Sequence, residues 1–108
     1  LYLYDLKDGV MGWRRPSGDL AFCYRFDPAV FPYCWYFASY GGFFGHYTAV
    51  LEPCTAMPCS VNAASALRQC SVLEPGQKLE TRVQICAGSA RRVMEMLEGG
   101  CAWSGKER

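Results

Sequence analysis

Glu52 is the residue of this sequence best placed to do chemistry. It follows the apolar pair Val50-Leu51, is stopped by Pro53, and opens the pattern Glu52-x-x-Thr55-x-x-Pro58 with Asn62 beyond. A carboxylate at a strand end can act as a general base on a hydroxyl, or it can merely accept backbone hydrogen bonds or face solvent. The run Phe31 to Tyr40 carries Tyr33, Trp35, Tyr36, Phe37 and Tyr40. Such flat rings with polar edges suit the apolar face of a sugar, although strand alternation sends half of them inward as core. Trp35 is expected to be the exposed member of the run. Arg82 is expected on the polar face of a later strand, paired with a carboxylate or a sugar hydroxyl, or simply solvated. Cys54 and Cys59 are separated by four residues, but no second cysteine pair or histidine completes a tetrahedral metal set, so they read as structural. A cysteine nucleophile would need a base, and His46 is the sole histidine. The glycines at Gly41, Gly42 and Gly45 fit neither a P-loop nor a dinucleotide fingerprint.

The elements that must hold these residues are mostly strands. Leu1 to Leu6 and Val10 to Trp13, joined by Lys7-Asp8-Gly9, predict a hairpin. Pro16-Ser17-Gly18-Asp19 is a second turn, and Leu20 to Phe26 predicts a third strand, broken by Asp27-Pro28. Phe31 to Tyr40 predicts a fourth strand ended by Gly41-Gly42, and His46 to Cys54 a fifth, with Glu52 at its end. Asn62 to Gln69, rich in alanine, predicts a short helix. Lys78 to Cys86 alternates Leu79, Thr81, Val83 and Ile85 against Glu80, Arg82 and Gln84, the clearest strand pattern in the chain. Ser89 to Glu98 predicts a helix stopped at Gly99-Gly100. Strand upon strand without βαβ alternation predicts a mostly β fold, an antiparallel β-sandwich with short helical segments.

The Glu52 pattern is followed downstream by Leu73-Glu74-Pro75-Gly76-Gln77 and then by an alternating segment. In that order and spacing the two motifs resemble the C-terminal region of the aldose 1-epimerase, or galactose mutarotase-like, family, over residues 19 to 87. The resemblance implies a large β-sandwich, of which this chain would be the C-terminal portion. It also implies a sugar isomerase that interconverts anomers with Glu52 as general base on the anomeric hydroxyl, and no cofactor. Opening a hemiacetal ring needs a second group to protonate the ring oxygen. The family draws that group from histidines upstream of the matched region, and His46 does not match such a position. A non-catalytic carbohydrate-binding or assembly module that keeps the sandwich is the alternative expectation.

Composition narrows the partners. Hydrophobic residues make up 51% and charged residues 19% of the 108, as in a folded domain rather than a disordered one. The 11 basic and 10 acidic residues nearly cancel, so there is no field suited to a nucleic-acid backbone. Every apolar run is interrupted well short of the roughly 20 residues a membrane helix needs. An odd count of 7 cysteines without a signal-peptide pattern predicts reduced thiols and a cytoplasmic compartment. Cys23, Cys34 and Cys86 are expected to be small buried hydrophobes. The opening Leu-Tyr-Leu-Tyr predicts a strand already under way in a longer protein. Six strands at most make an incomplete sheet pair, whose edges would be covered by a further N-terminal segment or by a homo-oligomer.

Overall fold

The computed structural model describes residues 1–98 and arranges them as two three-stranded antiparallel sheets with two helices. One sheet has the order β1 (Tyr2–Leu3), β4 (Tyr33–Phe43), β5 (His46–Cys54); the other has β2 (Val10–Arg14), β3 (Ala21–Arg25), β6 (Gln84–Gly88). Helix α1 (Val61–Ala66) follows β5, and α2 (Ala90–Glu98) follows β6. The fold is mostly β and sandwich-like. No helix among the described residues is long and apolar enough to cross a membrane.

The predicted first hairpin does not form. Tyr2 and Leu3 pair with Trp35 and Cys34 in one sheet, whereas Val10 to Arg14 pair with β3 in the other. The chain leaves the first sheet at Asp5, which takes a left-handed conformation (φ 56°), and enters the second at Gly9, whose carbonyl accepts from Phe26 N at 2.8 Å. A Cβ on Gly9 would lie 1.8 Å from the Phe26 carbonyl oxygen, so this approach of backbone to backbone requires glycine. The hairpin that does form is β2–β3, over the predicted Pro16–Asp19 turn. There Arg15 N donates to Leu20 O at 2.8 Å, Arg15 pairs with Asp19 at 2.7 Å, and Ser17 Oγ donates to Asp19.

Gly41 and Gly42 do not end β4. The strand passes through them to Phe43, with a register shift between Tyr40 and Phe43 that Gly41 absorbs at φ 89°. Phe44 (φ 48°) and Gly45 (φ 73°) then close the β4–β5 hairpin in two residues, both with positive φ as a type I′ turn requires. The predicted strand over Lys78 to Cys86 is confined to Gln84–Gly88, because β3 offers partners from Arg25↔Gln84 to Ala21↔Gly88. Beyond Arg25 the backbone turns to Gly9, and among the described residues the alternating segment 78–83 finds no ladder to join.

Helix α1 begins at Ser60, whose hydroxyl accepts from Ala63 N, and ends with Arg68 at φ 56° and Gln69 N donating to Ala64 O at 2.8 Å. That bond satisfies a carbonyl of the last turn, as in a Schellman cap. Helix α2 starts where Ala90 N meets Gly18 O at 3.0 Å. Near its end Arg25 Nη2 donates to Leu97 O at 2.7 Å, placing a cation on the negative end of the helix dipole. The expected stop at Gly99-Gly100 lies outside the described residues. Ala90 and Val93 pack on Ala21, Cys23 and Cys86 to form the main core, with Leu97 at its edge. Cys23, Cys34 and Cys86 are all buried, as expected. The Cα radius of gyration is 16.3 Å, against roughly 13 Å for a tightly packed chain of about 100 residues, and many large apolar side chains stay exposed.

Candidate functional site

The long β4–β5 ladder sets the geometry around Glu52. Trp35 and Glu52 are register partners, so both side chains stand on the same face of the sheet, with Cβ atoms about 5 Å apart. Tyr2 of β1 is the register partner of Trp35 on its other side. The three residues therefore form one row across three strands. Tyr2 and Trp35 meet edge to face, with ring centroids 5.4 Å apart at 70°. The indole is fixed by Trp35 Nε1 donating to Ala56 O at 2.9 Å, which leaves its ring rather than its N–H to meet a ligand. The Tyr2 hydroxyl accepts from Cys59 N at 3.4 Å, and hydrogen bonding with the Cys59 side chain raises the phenol above its ordinary range. The loop that follows β5 thus holds both rings of the row.

Glu52 is exposed, and among the described residues no hydrogen bond or ion pair engages its carboxylate. Its charge is felt by Cys54, two residues along the same face, whose thiol is raised first by burial and then by Glu52. Trp35 is half-buried rather than exposed, because Tyr2 and the Ala56 loop lie against it.

Arg82 does not join this row. It lies before β6, the outer strand of the other sheet, in a segment that is not a strand, so its predicted place on a polar strand face is corrected. It is exposed, and no hydrogen bond or ion pair among the described residues ties it to Trp35 or Glu52. His46 faces Phe43 beside the hairpin turn, with ring centroids 6.4 Å apart. Six residues of extended chain separate it from Glu52, a span of about 20 Å, so the two side chains do not share one site.

A cleft of about 580 Å³ opens beside the row, lined among others by Tyr4, Asp5, Tyr33, Met57 and Gln69. Tyr33 stands on the same strand and face as Trp35, and Met57 follows Ala56, so cleft and row adjoin. Its volume falls within the usual range for small-molecule sites. Asp5 and Gln69 supply a carboxylate and an amide there, and sequence reasoning missed both. Asp5 reads as an ordinary turn residue and Gln69 as the end of a helix; only tertiary structure makes them neighbours. Among the described residues, no group of three or more His, Cys, Asp and Glu side chains is placed to hold a metal.

Comparison with family models, with curated proteins and with solved structures finds no match to this chain.

Proposed function

We propose that this chain binds an aldose on the Tyr2–Trp35–Glu52 row and in the adjoining cleft, as a carbohydrate-binding module. The observation that carries this reading is the register pairing of Trp35 with Glu52. A ring face for the apolar side of a sugar stands directly beside a carboxylate that can accept from its hydroxyls. Tyr33, Asp5 and Gln69 extend the same surface with further polar groups. Calorimetric titration with a panel of aldoses tests it. Glu52→Gln keeps the size of the side chain but loses a charge-assisted hydrogen bond, and is expected to weaken binding about tenfold. Trp35→Ala removes the platform and is expected to abolish measurable binding. Equal affinity in wild type and both variants would overturn the reading.

A mutarotase-type isomerase is the second reading, favoured by the Glu52 carboxylate having no intramolecular partner among the described residues. It needs a proton donor that His46 cannot supply from the far end of β5. Polarimetry of a freshly dissolved aldose separates the two. Accelerated mutarotation that is lost in Glu52→Gln would mean catalysis, and binding without acceleration would mean a module.

A further inference from the structure

Three sulfur atoms converge between α2 and the sheet it covers. Cys23 and Cys86 are register partners in the β3–β6 ladder, so both thiols stand on the face that α2 packs against. They are nearly inaccessible, at 4% and 8% exposure. From α2, Met96 brings its Sδ to 3.1 Å from Cys86 Sγ. The three residues line a cavity of about 10 Å³ together with Arg25, Gln84 and Leu97. That is about the volume of one probe sphere, room for a single small occupant.

We infer that this three-sulfur pocket is a binding site for a soft monovalent cation, Cu(I), held by the two cysteine thiolates and the methionine thioether. Ligand chemistry selects the ion. Thiolate and thioether donors are soft and favour Cu(I), whereas Mg²⁺ and Ca²⁺ want oxygen ligands. Among the described residues, the lining includes no carboxylate or imidazole. Structural Zn²⁺ wants four cysteine or histidine ligands, and among the described residues there are two cysteines and a thioether. Charge balances as well: two thiolates and one Cu(I) carry a net charge of minus one, and the Arg25 guanidinium lies at the cavity, held by its bond to Leu97 O. Met96 is 39% exposed and provides the way in, since its flexible side chain can swing aside to admit the ion and return to ligate it.

Binding converts two thiols to thiolates and releases two protons with no change in oxidation state. Because the ion displaces two thiol protons, its affinity rises with pH.

The test is anaerobic titration of the whole reduced chain with Cu(I) against a chromogenic Cu(I) chelator. Other cysteines also bind copper, so the first equivalent is the one that matters. The double variant Cys23→Ser/Cys86→Ser is expected to lose that tight equivalent by about a hundredfold or more, and Met96→Leu to weaken it by about tenfold, while Cys34→Ser and Met57→Leu leave it unchanged. X-ray absorption at the copper edge should then report an all-sulfur shell that loses one sulfur in Met96→Leu. Met96 is partly exposed and leucine is of similar volume, so that variant keeps the fold. A first equivalent of unchanged affinity in Met96→Leu, or one retained in the double cysteine variant, would overturn the site.

Discussion

The two sheets solve the same problem differently. In β2–β3–β6 one face is covered by α2, and the residues beneath it, Ala21, Cys23 and Cys86 with Ala90 and Val93, are buried. In β1–β4–β5 the far half of the hairpin has no cover among the described residues: Phe37, Tyr40, Phe43 and Tyr47 are all more than half exposed. The β2–β3–β6 sheet is held by tertiary packing and close backbone approach. The outer part of the β4–β5 hairpin is held by a long ladder and a tight turn, so its order comes from register rather than from a core.

Glycine substitutions break this contrast most sharply. At Gly9 a Cβ would collide with the Phe26 carbonyl, and Gly9→Ala is expected to cost about 3 kcal/mol, seen as a lower urea midpoint. At Gly42, in the exposed hairpin, a Cβ meets nothing within 4 Å. Gly42→Ala is expected to change the midpoint little, or to raise it by up to about 1 kcal/mol through a less flexible unfolded chain. Equal losses at both positions would contradict the division.

A pair of valines sharpens the same point at smaller scale. Val93 is 4% exposed in the α2 core and Val50 is 37% exposed on β5. Val93→Ala is expected to cost about 1 to 3 kcal/mol and Val50→Ala under about 0.5 kcal/mol in the same denaturation experiment.

The strands that could be read from sequence were those whose own residues decide the matter. β3 and the start of β4 are bounded by Asp27-Pro28 and the turn clusters, and these signals act locally, whereas the expected stop at Pro53 fails because β5 pairs through it to Cys54. Two of the failures concern partners. Residues 78–83 alternate as well as any strand, yet β3 ends at Arg25 and leaves them unpaired. Leu1 to Leu6 looked like one arm of a local hairpin, but the main-chain bonds of β1 go to β4, more than thirty residues away. For the candidate site, Glu52 and Trp35 were visible as residue types, but their pairing depends on the Phe44-Gly45 turn. That turn was hidden because phenylalanine is an unlikely occupant of a positive-φ position. The sulfur cluster was hidden likewise, since Cys23 and Cys86 read correctly as buried and only the ladder places them opposite one another.

The turn offers the smallest test. Phe44 is 87% exposed and carries the strain of φ 48°, so Phe44→Asn is expected to stabilise the chain by about 1 kcal/mol. A loss of stability there would mean that the Phe43–Phe44 ring contact, at 4.8 Å, matters more than the backbone.

The most direct test of the proposed binding surface is a residue-resolved NMR titration of the labelled chain with an aldose. The account predicts saturable shifts at Tyr2, at the Trp35 indole N–H, at Glu52 and along the loop at Ala56 and Met57, with β2, β3 and β6 unmoved. Shifts confined to the β2–β3–β6 sheet, or none at saturating sugar, would contradict it.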